Sequence, residues 1–124
     1  MFTVTKRMEV AGTHKLNLSY DSPCTRPHGH NWIITVEVTA KHLNINGIVI
    51  DFSTIDMIVN QLDHQDIDKV LNGLNSTAEN IACWVRNRIT EHLITKRDED
   101  RCEVSKVTVQ ESEGNIAVYT PVNK

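Results

Sequence analysis

The stretch HGHNWIITVEVTA, residues 28 to 40, is the one on which the fold turns. From Trp32 onward its apolar residues, Trp32, Ile34, Val36, Val38 and Ala40, fall at every second position. A period of two puts them on one face of a β-strand. Residues 2 to 10 repeat the pattern, with Phe2, Val4, Met8 and Val10 on one face and Thr3, Thr5, Arg7 and Glu9 on the other. Between these strands, residues 11 to 27 hold Gly12, Asp21, Ser22, Pro23 and Pro27 and read as a long loop, a feature often tied to function in a compact domain.

Downstream, Asn46-Gly47 signals a turn before the short run Ile48 to Phe52, which predicts a hairpin. Ser53 with Asp56 has the form of a helix-capping pair, and Ile55, Ile58, Val59 and Leu62 recur at helical spacing. A capping box at Ser76-Thr77-Ala78-Glu79 opens a second helix through Ile81, Trp84, Val85, Ile89 and Leu93. The charged KRDED segment reads as a solvated connection. Val107, Val109 and Glu111 then share one face of a strand that turns at Glu113-Gly114 and returns through Ile116, Val118 and Thr120. Strands, two helices and strands again predict one α+β domain over residues 1 to 124, an antiparallel sheet with both helices on one face.

Composition narrows the function classes. Apolar residues at 40% and charged residues at 23% are ordinary globular usage. A net charge of −3 offers no basic surface for nucleic acid or an anionic bilayer. No apolar run approaches membrane-spanning length, and the N-terminus alternates instead of forming a signal-peptide core. The cysteines, Cys24, Cys83 and Cys102, contain no C-x-x-C pair; this argues against a disulfide framework or a thiolate zinc finger and fits a reducing cytoplasm.

The chemistry-bearing residues gather around residues 24 to 32, CTRPHGHNW. His28 and His30 share the parity of Trp32, about 6–7 Å apart along the strand, so two neutral imidazoles can converge on one ion. Taken as a pair they are equally two exposed polar residues. His14, at the adjoining end of the neighbouring strand, supplies a third donor, and three protein ligands with an open position is the catalytic zinc pattern. His42 and His92 have no partner spacing and read as structural. Cys24, close to such a cation, gains thiolate character and can serve as base, nucleophile or a fourth ligand that closes the site. The carboxylate of Asp63 can orient His64 for acid–base work, or the two can be an ordinary helix-end pair. Glu111, on the apolar parity of Val109, must be paired or reserved for a ligand with a guanidine-like donor edge, unless the strand has already ended there.

In order along the chain, THKL, CTRPHGHNW, GIVIDFSTI, QLDHQDID, NSTAENIA and VQESEGNIAVY resemble the 6-pyruvoyl-tetrahydropterin synthase family. The likeness is closest to its bacterial branch, the 6-carboxy-5,6,7,8-tetrahydropterin synthases of queuosine (7-deazaguanine) biosynthesis. That resemblance implies Zn2+ held by His14, His28 and His30, Cys24 as catalytic thiol, and Asp63 with His64 as an acid–base pair. It implies Glu111 as the carboxylate that anchors the pterin ring and takes part in a proton relay, with Thr77 near the pterin. The implied fold is the T-fold (tunnelling fold), in which the sheets of several subunits join into a barrel. The implied assembly is a homo-oligomer built on trimers, up to a hexamer, with active sites between subunits, in the cytoplasm. The implied reaction takes 7,8-dihydroneopterin triphosphate to the 6-carboxy product, acetaldehyde and triphosphate, with Lys15 and Arg26 beside the ligands as cationic partners.

The three residues between Cys24 and His28 match the carboxy branch. The animal pyruvoyl enzymes carry a longer insertion there, and no glutamate between Asp21 and His28 could take the cysteine's place as it does in a third branch. Two segments depart from the pattern. Val10-Ala11-Gly12-Thr13 stands where an aromatic and small residues are usual, and Asn75-Ser76-Thr77 replaces Asn-Pro-Thr. Three other readings stay open: a pyruvoyl-forming triphosphate lyase, a Cys24-His64 thiol hydrolase that leaves the other histidines idle, and a non-catalytic zinc-stabilised assembly module with Cys24 as fourth ligand.

Overall fold

The structure, a computed structural model, describes residues 1 to 122. β1 (Phe2–His14) lies antiparallel to β2 (His28–Ala40), in unbroken register from Phe2 opposite Ala40 to His14 opposite His28. β1 therefore extends four residues past Val10, into the segment the sequence reads as loop. Those residues are paired on both sides, because a short β3 (Gln65–Asp66) runs parallel to them at Gly12 and Thr13. Gly12 permits the approach. A Cβ at this position would come within 2.9 Å of the Gln65 carbonyl oxygen, 3.1 Å of Ile67 and 3.2 Å of the Trp32 ring. A backbone oxygen inside a paired strand cannot yield as a flexible side chain can. Gly12→Ala is therefore expected to destabilise the fold by about 1–3 kcal/mol, the scale of overpacking. A melting temperature unchanged by this substitution would mean that β3 is free to shift.

β4 (Cys102–Ser112) pairs with the other side of β2, and β5 (Asn115–Tyr119) returns along β4, giving the order β3-β1-β2-β4-β5. The sheet is antiparallel except at β3. The hairpin expected at Ile48 to Phe52 does not form. Both edges of β2 are already taken by β1 and β4, so β2 offers no edge for the expected hairpin partner. The turn itself is real: Gly47 donates to the Asn44 carbonyl at 3.0 Å with φ of +75°, and the loop beyond it sends Val49 and Ile50 into the core. β5 also differs from expectation. Ala117 and Tyr119 pack on the core, whereas Ile116 and Val118 are exposed. The KRDED connection is partly anchored, since Asp98 pairs with Arg101 at 2.7 Å and Arg101 donates to the Val49 carbonyl at 2.6 Å.

Three helices cover the core. In α1 (Phe52–Val59) the cap is Asp51, which accepts from the Ser53 N–H at 2.9 Å, so Ser53 is inside the helix and not its cap. α2 (Ile67–Leu71) follows β3 directly and ends at Asn72 with a left-handed φ of 45°. Five residues are too few to show a helical period, and the sequence reading lacks this element. α3 (Ala78–Thr95) is capped by Thr77, which accepts from the Asn80 N–H at 3.1 Å. The cap is thus one residue later than Ser76 and is not a reciprocal box, since the Asn80 amide donates to the Asn75 carbonyl, and Ser76 turns inward. Ile55, Val59, Ile67, Ile81, Val85 and Ile89 bury against Val10, Trp32, Ile34, Val36 and Val107, the apolar face that the alternation defines.

Candidate metal centre

The β1–β2 register sets His14 opposite His28, with His30 two residues along and opposite Gly12. The three side chains converge. Their ligand atoms all lie within 4.8 Å of one another, and their ring centroids are 4.5, 4.8 and 5.2 Å apart.

Hydrogen bonds set the tautomers of two rings. Nδ1 of His28 lies 2.7 Å from the Arg26 carbonyl oxygen, and Nδ1 of His14 lies 2.9 Å from that of Ser76. A carbonyl only accepts, so each Nδ1 carries the proton and each neutral ring keeps a bare Nε2 lone pair. Nε2 of His14 and Nε2 of His30 are buried without a hydrogen-bond partner among the described residues. Orphaned buried polar atoms cost roughly 1–3 kcal/mol each, and native proteins rarely tolerate them without a purpose. Convergent imidazoles, two of them fixed by bonds from the opposite nitrogen, are what a metal ion satisfies. The residues fit such an ion. Burial pushes the His14 imidazole below its ordinary range, against the Ser76 hydrogen bond and with help from the neighbouring His28 and His30. Burial lowers His30 as well, opposed by the charge of Glu111. Both shifts favour the neutral, ligating form.

Glu111 reaches this group from β4. Its Oε1 is 3.2 Å from Nε2 of His30, within ion-pair distance but without the alignment of a hydrogen bond. It keeps the core-side parity read from the sequence, and it lines two clefts. One, of about 510 Å³, includes Gly12, His30 and Asn31; the other, of about 290 Å³, includes Ala78, Glu79 and Ala117. Thr77 caps α3 beside the second cleft.

Cys24 sits in a single 3-10 turn, Pro23–Thr25, partly exposed. Its carbonyl accepts from the Leu16 N–H at 2.8 Å, which folds the loop back beside the end of β1. It does not join the histidine group, whose three donors are all imidazoles. Asp63 and His64 lie on the other side of β1. Asp63 Oδ1 accepts from the Ala11 N–H at 2.8 Å and lies 3.3 Å from Nδ1 of His64, while the His64 N–H donates to the Ala11 carbonyl at 2.6 Å. The His64 backbone is left-handed, with φ of 58°, and its side chain is 80% exposed. Within one chain, His14, His28, His30 and Glu111 thus come together, and the His64 ring projects outward.

Ser76 and Asp68 were not singled out as site residues by their sequence. Ser76 is fully buried behind His14; in the sequence it reads only as a helix-capping residue and as a departure from Asn-Pro-Thr. Asp68 accepts from its hydroxyl.

Residues 3–122 match the family model described as 6-pyruvoyl tetrahydropterin synthase. A putative 6-carboxy-5,6,7,8-tetrahydropterin synthase of Pyrococcus horikoshii is 30% identical over 112 residues, which cover 68% of this chain and 71% of that protein. The 6-carboxy-5,6,7,8-tetrahydropterin synthase of Bacillus subtilis is 24% identical over 127 residues, covering 97% and 86%. The solved 6-pyruvoyl tetrahydropterin synthase of Caenorhabditis elegans superposes with a TM-score of 0.74 at 21% identity, covering 98% and 96%. The fold is the T-fold of these enzymes, as an open sheet that does not close into a barrel by itself. The chain belongs to the 6-pyruvoyl tetrahydropterin synthase family.

Proposed function

We propose that this chain is a zinc-dependent lyase converting 7,8-dihydroneopterin triphosphate and water to 6-carboxy-5,6,7,8-tetrahydropterin, acetaldehyde and triphosphate in queuosine (7-deazaguanine) biosynthesis. The observation that carries the reading is the convergence of His14, His28 and His30, with Nε2 of His14 and Nε2 of His30 both buried and without a hydrogen-bond partner among the described residues. Three imidazoles, with no fourth donor grouped with them among the described residues, match the open pattern of catalytic zinc. When bound, zinc supplies Lewis-acid polarisation of the substrate's side-chain oxygens.

The protein's own groups do the rest. The Glu111 carboxylate accepts two parallel N–H bonds from the pterin's amino-pyrimidine edge and so fixes which carbon faces the metal. Thr77, the α3 cap, immediately precedes Ala78 in the lining of the cleft we assign to the ring. Cys24, in its loop beside the end of β1, removes a proton as thiolate. His64, oriented by Asp63, gives or takes a second proton. Because the His64 ring points outward, we assign it to a site completed by a neighbouring subunit, in a homo-oligomer built on trimers and possibly a hexamer. An open edge at β5, with Ile116 and Val118 exposed, supports that assembly. Lys15 and Arg26 are the cations offered to the triphosphate. No helix among the described residues is long and apolar enough to cross a membrane, and the proposed location is the cytoplasm.

The carboxy product is favoured over the pyruvoyl one by the Cys24-to-His28 spacing and by the names of the relatives from Pyrococcus horikoshii and Bacillus subtilis. The test is product analysis with dihydroneopterin triphosphate. Acetaldehyde, triphosphate and the 6-carboxy pterin are expected. Triphosphate with an intact three-carbon side chain as the only pterin product would move the chain to the pyruvoyl reading. No turnover by a zinc-replete oligomer would overturn both.

A further inference from the structure

We infer that Ser76 and Asp68 form a positioning relay behind His14 that sets how tightly the metal is held; the inference rests on the metal reading above. Ser76 is fully buried, and its hydroxyl meets three groups. Asp68 Oδ1 is 2.5 Å from Oγ, Nδ1 of His14 is 3.1 Å away, and the Lys15 carbonyl lies at a marginal 3.5 Å. The hydroxyl has one proton. An ionised carboxylate can only accept, so that proton points at Asp68 and the Oγ lone pairs remain for His14. The Nδ1 proton of His14 is thus shared between the Ser76 carbonyl, at 2.9 Å, and an oxygen whose own proton is drawn toward a carboxylate. Asp68 holds a second point of the same unit, because its Oδ2 accepts from the Lys15 N–H at 2.9 Å, one residue after the ligand.

Three elements meet here: the end of β1, the first turn of α2 and the residue before the α3 cap. The consequence is twofold. The ring is fixed in angle and tautomer, and its Nε2 becomes the better donor, as a carboxylate behind a ligating histidine makes it. Proline, which the family pattern carries at this position, would keep the carbonyl and lack the hydroxyl. The carboxylate link therefore belongs to this chain's own sequence.

The test is the zinc dissociation constant, read by competition with a chromophoric chelator, for the full chain and for Ser76→Ala, Asp68→Asn and the double variant. Ser76→Ala keeps the backbone carbonyl and removes only the link. It is expected to bind zinc about 10-fold or more weakly, the scale of an outer partner. Asp68→Asn, whose amide oxygen can keep the Lys15 N–H while its NH2 faces the Ser76 Oγ, should show a similar loss, and the double variant should be no worse than Ser76→Ala, because what the amide changes reaches His14 through the hydroxyl. Ser76→Thr, which restores the hydroxyl, should recover affinity. Zinc affinity within twofold of the parent in Ser76→Ala, or additive losses in the double variant, would overturn the relay while leaving the metal site standing. If Asp68→Asn does not fold, Ser76→Ala decides alone. A parent chain that binds no zinc overturns the metal reading itself, and the relay with it.

Discussion

Cys24→Ala is expected to lower turnover by about 10²- to 10⁴-fold, the contribution of a positioned acid–base group, with zinc content, fold and substrate affinity unchanged. The expectation follows from where Cys24 is and is not. It is tied into its loop through backbone groups, by the Leu16 N–H on its carbonyl and the Ser22 hydroxyl on its own N–H. Alanine preserves both bonds. Its sulfur is outside the histidine group, so the three imidazoles proposed as ligands are untouched. A fall in kcat with KM unchanged is the signature of an interaction made only on the way to the transition state. Single-turnover kinetics with metal analysis on the same sample reads both arms. A variant that loses its zinc along with its activity would show that Cys24 closes a four-ligand structural site, and the assembly-module reading would replace the lyase.

His28→Ala is expected to lose most bound metal at little cost to the fold. His28 is at the first position of β2, only partly buried, and its side chain hydrogen-bonds to the nearby Arg26 carbonyl. Its ring meets those of His14 and His30, at 4.5 and 4.8 Å between centroids, and it is not among the buried core residues. Removing it leaves two imidazoles and should weaken binding by more than the ~100-fold that marks the upper end for an outer partner. His14→Ala is a different case. That ring is buried against Trp32 and bonded to Ser76, so its loss should lower the melting temperature as well as the metal content. Metal analysis and thermal melts of the two variants separate the effects. Full occupancy in His28→Ala would remove the third ligand from the account.

The parts of this fold legible in the sequence are those with a repeating signal. Alternation from Trp32 to Ala40 and from Phe2 to Val10 marks both long strands, and parity alone puts His28, His30 and Glu111 on the face of Trp32 and Val109. The rest has no period to read. β3 is two residues long and α2 five, and β3 exists because Gly12 lets another backbone come close. The run from Ile48 to Phe52 has strand-like residues, yet a tertiary fact, the occupation of both β2 edges, denies it a partner. Ser76 and Asp68 are ordinary polar residues eight positions apart, and they become a unit only when α2 and α3 fold against the end of β1. His64 is the reverse case. The resemblance gives it a role, but within one chain its ring is exposed and stands apart from the histidine group.

The central claim is an ion held by three imidazoles with one position left open. X-ray absorption at the zinc edge of the purified protein tests it most directly. The account predicts about one zinc per chain, with three nitrogen neighbours at roughly 2.0–2.1 Å, an oxygen completing the shell and no sulfur. A sulfur neighbour at roughly 2.3 Å, or a chain that takes up no zinc on titration, would contradict it.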